Sequence, residues 1–206
     1  MVRILKLIKE YYEKTIIINK SRFIGQAFRV DSVEEVEEIL SQVRKKYYDA
    51  THNCYAYRIG DNIQKMSDDG EPAKTAGAPI LDVIQKLDIT NILVIVTRYF
   101  GGILLGAGGL VRAYSSTTST ALSEAKYYVL ENQIRFRATL SYSAYQTFNK
   151  MLNYVYIEKT SFLNEVIVEG YCKEEFYPNL QKDAYTYKIG DMLLENLGLF
   201  PIEVPC

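Results

Sequence analysis

Three stretches hold side chains whose types and spacing could do chemistry. The first is VTRYFGGILLGAGGLVRAYSS, Val96 to Ser116, with five glycines and two arginines. Backbone N–H groups at a glycine-rich turn ahead of a helix can hold an anion, and Arg98 and Arg112 flank this turn. Gly101, Gly102, Gly106, Gly108 and Gly109 match neither common nucleotide motif. Gly106 is followed by Ala107-Gly108 where a phosphate loop needs Lys and a hydroxyl, and Val111 stands where the dinucleotide fingerprint needs its last glycine. The stretch therefore reads either as an anion cradle or as a crowded turn that only glycine fits.

The second stretch is MSDDGEPAKTAGAP. Asp68, Asp69 and Glu71 place three carboxylates in four residues, enough to hold Mg²⁺ or to serve as acid and base. Asp69-Gly70 is also a strong turn signal, which makes an ordinary acidic turn the plainer reading. Lys74, Thr75 and Gly77 could form a second small anion nest ahead of a helix. The third stretch is THNCYAYRIG. His52 and Cys54 share a strand face, as a Cys–His nucleophile pair would, although a half-buried structural pair is the plainer reading. Arg58 lies further along the same face. Tyr55, Tyr57 and Tyr99, among 18 tyrosines and no tryptophan, could stack bases or simply straddle core and surface.

These side chains need elements to position them. KTIIINKSRFIGQAFRV reads as two strands around a turn at Asn19-Lys20-Ser21. Val33, Val36, Ile39, Leu40, Val43 and Tyr47 recur at helical spacing behind a Ser32/Glu35 capping pair. THNCYAYRIG alternates as a strand, with a weaker strand after it. Pro79 opens a helix carrying Ile80, Ile84 and Leu87. NILVIVTRYF is a continuous apolar run, read as a central strand covered on both faces. The small-residue segment after the glycines reads as a helix.

From Glu131 onward the order is strand, helix, strand, strand, helix, strand, the ferredoxin-like plan. Its first helix carries Tyr145, Phe148, Leu152 and Val155 behind a Ser143/Gln146 cap. Its second is ended by Gly190, and MLLEN and LFPIEV read as two short strands. The expected fold class is α+β with two domains, residues 1–132 and 133–206.

Composition narrows the function classes. The net charge is −1. Residues 1–132 carry 17 Lys+Arg against 16 Asp+Glu, and the remainder 7 against 9. Neither part is a polybasic module, so any nucleic-acid contact requires a focused patch. Cys54, Cys172 and Cys206 have no C-x-x-C spacing, which suggests a reducing compartment. A single histidine argues against a zinc site. No stretch reads as a secretory signal or a membrane span. The expectation is a cytoplasmic protein with no metal and no cofactor.

The segments KSRFIG, HNCYAYRIG, SDDGEPAKTAGAPIL and TRYFGGILLGAGGLVRAY, in that order, resemble the YigZ/IMPACT family over roughly Ser21 to Ala121. The C-terminal part resembles the second domain of the bacterial branch. Ala73 and Lys74 depart from the family pattern, replacing a serine and a glycine, so that Lys74 would supply charge there. The resemblance implies an N-terminal domain like the second domain of a small-subunit ribosomal protein, a sheet with helices on one face. It implies a C-terminal domain like the fifth domain of elongation factor G. Eukaryotic members regulate translation by competing for an activator of the kinase that phosphorylates an initiation factor. Bacterial members carry no assigned reaction.

The expected function is therefore non-catalytic regulation in translation. The partner would be RNA, the ribosome or a translation factor, met through Arg58, Lys74, Arg98, Arg112 and the glycine turn. Two alternatives stand beside it. One is a metal-assisted enzyme acting on a phosphate-bearing small molecule through His52, Asp68, Asp69 and Glu71. The other is a protein-interaction regulator in which the glycines are only structural.

Overall fold

The computed structural model describes residues 4–151, 153–186 and 192–206. The elements, in chain order, are β1 (Lys6–Ile8), β2 (Tyr12–Ile18), β3 (Ser21–Arg29), α1 (Val33–Lys46), β4 (His52–Ile59), β5 (Ile63–Ser67), α2 (Gly77–Lys86), β6 (Ile92–Tyr99) and α3 (Gly106–Leu122). Then follow β7 (Tyr127–Leu140), α4 (Tyr142–Met151), β8 (Val155–Phe162), β9 (Val166–Lys173), α5 (Tyr177–Thr186) and β10 (Leu193–Pro205). The chain divides into two compact units. One runs up to Val129 and includes Pro205–Cys206; the other is Leu130–Val204. The division falls inside β7, a few residues before the expected boundary.

The first unit is built on a five-stranded sheet in the order β2-β3-β6-β4-β5. Every neighbouring pair is antiparallel. Asn19 and Lys20 both take positive φ, 46° and 65°, which matches the twist a two-residue hairpin needs. β6 is the middle strand and its residues Ile92–Arg98 are all buried. Side-chain alternation sorts them. Cys54, Ala56, Val94 and Val96 pack on Ile80, Ile84, Leu110 and Tyr114 of α2 and α3. Tyr55, Tyr57, Leu93 and Ile95 pack on Val36, Leu40 and Val43 of α1.

This corrects one expectation. Helices cover both faces of the sheet, not one. The reason is in the strands: β4 and β6 are apolar at every position, so each face must be removed from water. α1 begins as read, with Ser32 Oγ accepting from Glu35 N at 3.2 Å.

In the second unit β10, β7, β9 and β8 lie side by side in that order. Phe136, Phe148, Val166, Val168 and Leu180 form its core. Here three details differ from the sequence reading. Ser141, rather than Ser143, caps α4, accepting from Ala144 N at 3.3 Å. Val155 opens β8 instead of closing the helix. The two short C-terminal strands are one strand, β10, with Gly198 at φ 107° inside it. Leu152 and Gly190 lie outside the described residues.

Candidate functional site

The acidic turn, the end of β6 and the start of α3 meet at one end of the sheet in the first unit. β4 and β6 pair His52 with Arg98 there. Arg98 Nη1 donates to Glu71 Oε1 at 2.6 Å, and both side chains are buried. Tyr114 Oη donates to the same oxygen at 2.8 Å. His52 Nδ1 lies 2.7 Å from the Asp69 carbonyl, and its Nε2 lies 3.9 Å from Glu71 Oε1. The Cys54 thiol sits 2.9 Å from the Asp68 carbonyl and 3.3 Å from the Tyr114 hydroxyl. A cavity of about 370 Å³ opens over this cluster. Its polar floor is His52, Glu71 and Arg98; Phe100, Leu105 and Leu110 supply apolar wall, and Gly106 and Ala107 border it.

The three carboxylates of the acidic turn do not converge. Asp68 accepts from the backbone N–H of Lys74, Ala76 and Gly77, at 2.8, 3.0 and 2.8 Å, and so caps α2 from outside the helix. Asp69 accepts from Asn53 N at 2.6 Å. Glu71 alone turns inward. Among the described residues no group of three or more His, Cys, Asp or Glu is placed to hold a metal ion. The paired His52 and Cys54 do not make a nucleophile either. Burial pushes the Cys54 thiol up to about 12, the Tyr114 hydrogen bond notwithstanding, so the thiolate is scarce at neutral pH.

The expected anion patch is only partly assembled. Arg98 lines the cavity but its charge is met by Glu71. Arg58 is six residues along β4 from His52, about 20 Å of strand away, beside Asp61 at 3.7 Å. Tyr99 Oη donates to Asp49 at 2.8 Å while the Arg22 guanidinium covers its ring. Lys74 is exposed, and its φ of 63° explains why the resembled family carries glycine there. Thr75 Oγ1 donates to the Pro72 carbonyl at 2.6 Å instead of facing an anion. A β-carbon on Gly77 would come within 2.8 Å of the Ser67 backbone, and one on Gly101 would overlap the Lys20 carbonyl. These two glycines serve close packing.

The remaining glycines behave differently. Gly102 and Gly106 have positive φ, 83° and 68°, with open space where a side chain would go. Gly106 and Gly108 are exposed in the first turn of α3, Gly109 is half-buried, and no side chain caps the helix. Arg112 Nη1 lies 3.6 Å from the position of a β-carbon on Gly108, so this exposed cation reaches back beside that turn. Arg112 also lines a smaller cavity with Asn19 and Leu105.

Tyr114 was absent from the sequence reading of the site. Its only sequence signal is a large polar-tipped residue in a helix of small ones.

This α+β chain, with a buried Arg–Glu pair beneath a glycine-rich helix start, belongs to the IMPACT family: the Impact N-terminal domain matches residues 19–122. The IMPACT family member YvyE of Bacillus subtilis (strain 168) is 50% identical over 118 residues, covering 56% of this chain and 54% of its own. The member YigZ of Escherichia coli (strain K12) is 44% identical over 111 residues, 52% of this chain and 54% of its own. The chain thus spans about half the length of these curated relatives. A solved structure of a hypothetical protein is 26% identical with a TM-score of 0.61, covering 96% of this chain and 99% of that one. Among the described residues no helix is long and apolar enough to cross a membrane.

Proposed function

We propose that the chain is a non-catalytic, cytoplasmic regulator associated with translation, and that it meets a phosphate-bearing ribosomal surface through the first turn of α3. Membership of the IMPACT family supports the link to translation. The resemblance of the second unit to the fifth domain of elongation factor G points the same way, and its β10-β7-β9-β8 strand order fits that ferredoxin-like plan. One observation carries the choice of surface. α1 is capped by Ser32 and α2 by Asp68, whereas α3 starts without a capping side chain at exposed Gly106–Gly108, with Arg112 beside it. Unpaired N–H groups and the positive end of the helix dipole favour a phosphate there.

Co-sedimentation with ribosomal subunits at two salt concentrations tests this reading. Wild type pellets at low salt and is released at high salt. An Ala107→Asp chain, whose carboxylate occupies the helix start, stays in the supernatant. A second reading, a protein partner without phosphate, draws on exposed Phe100, Ile103, Leu104 and Val111 around the same loop. Binding that ignores salt and survives Ala107→Asp would establish it.

A further inference from the structure

The cavity beside the α3 start has a composition that a flat macromolecular contact does not require. Its floor holds two buried polar atoms with unfilled hydrogen-bonding capacity. His52 Nδ1 faces the Asp69 carbonyl, so it carries the proton. The neutral ring then keeps its lone pair at Nε2. Among the described residues the polar neighbour placed near Nε2 is Glu71 Oε1 at 3.9 Å, and a carboxylate has no proton to give. The second atom is Arg98 Nε, buried without an acceptor although its Nη1 holds Glu71. One site therefore offers an acceptor at His52 and a donor at Arg98. The walls above them, Phe100, Leu105 and Leu110, are apolar.

We infer that this cavity is a receptor for a small phosphate monoester with an apolar body of about one ring. The volume of about 370 Å³ lies within the range of small-molecule pockets. Glu71 and Arg98 cancel, and the α3 dipole leaves a positive bias suited to a monoanion. A monoester monoanion matches both orphan atoms: its P–OH donates to His52 Nε2, and its charged oxygens accept from Arg98 and from the Gly106 and Ala107 N–H groups. Phe100, Leu105 and Leu110 enclose the ring. The placement of the phosphate rests on the anion contact proposed above; the apolar chamber and the His52 acceptor do not.

His52 is the only histidine in the chain, so its imidazole signals need no assignment. The experiment is an NMR titration of those signals with phenyl phosphate and, separately, with inorganic phosphate. Long-range ¹H–¹⁵N spectra of the free protein should show the Nδ1–H tautomer. Phenyl phosphate should shift the His52 signals saturably, with an affinity at least about tenfold above that of phosphate, the scale of burying one ring. Leu104→Asp changes an exposed residue at the cavity mouth, so the fold survives; it should weaken phenyl phosphate about tenfold while leaving inorganic phosphate nearly unchanged. Equal affinity for the two probes would overturn the receptor proposal and leave the anion contact at α3 standing. No His52 response to either probe would overturn the receptor outright, and a silent α3 amide spectrum in the same samples would remove the anion contact with it.

Discussion

Arg98 on β6 and Glu71 in the acidic turn are 27 residues apart in sequence and joined by a 2.6 Å ion pair whose side chains are 6% and 3% exposed. The pair ties the turn to the sheet and turns what looked like a free cation into half of a neutral unit. Breaking a buried pair from one side leaves an uncompensated charge. Arg98→Met alone should destabilise the chain by about 3–5 kcal/mol, and Glu71→Gln/Arg98→Met together by clearly less. Urea unfolding of the two single variants and the double variant measures this.

Asp68 is predicted to matter for folding rather than catalysis. It accepts three backbone N–H groups at the start of α2. Asp68→Ala should cost about 2 kcal/mol, and Asp68→Asn less, because the amide keeps one acceptor oxygen. Chemical denaturation in the presence and absence of Mg²⁺ should give the same values. A large Mg²⁺ dependence would contradict the capping role.

Lys74 sits in left-handed backbone at φ 63°, where a β-carbon is costly. Lys74→Gly should raise stability by about 1 kcal/mol. Gly102→Ala, at φ 83° with open space, should lower it by a similar amount, whereas Gly101→Ala should disrupt the hairpin contact and fail to fold well. Thermal unfolding of the three variants orders them.

The buried thiols supply a pH test. Burial pushes Cys54 from its ordinary 9.0 up to about 12 and Cys172 up to about 11. A raised thiol means that the folded state favours the protonated form. Its contribution is complete below pH 9 and is lost as pH rises toward 12. At pH 8 a thiol reagent should modify exposed Cys206 quickly and leave Cys54 and Cys172 until the chain unfolds. Mass spectrometry of the labelled folded protein gives the answer.

Local patterns carried much of the fold. The Asn19-Lys20 turn, the two-faced alternation of β4, the apolar run of β6 and the Ser32 cap are all decided by neighbours in sequence. Periodicity could show which side of α1 is apolar, but not which face of the sheet it covers, because β4 and β6 are apolar on both. Gly198 and Pro201 look like breaks in a string of letters, yet β10 runs through both. The site was less legible. Asp69 at φ 42° and Gly70 at φ 88° redirect the chain, so three carboxylates adjacent in sequence take three separate partners. The Arg98–Glu71–Tyr114 cluster depends on residues from three elements, and no spacing rule links them.

The glycine stretch divides between the two roles read for it. Gly101 is needed for packing. Gly106 and Gly108 face solvent at an uncapped helix start, where the anion contact is proposed. The measurement that reaches this claim most directly is an amide ¹H–¹⁵N titration of the isolated chain with inorganic phosphate. The account predicts saturable shifts centred on Gly106, Ala107 and Gly108, suppressed in Ala107→Asp and weakened by Arg112→Glu. Shifts spread over Arg58 and other surface cations, or an unmoved α3 first turn, would contradict it.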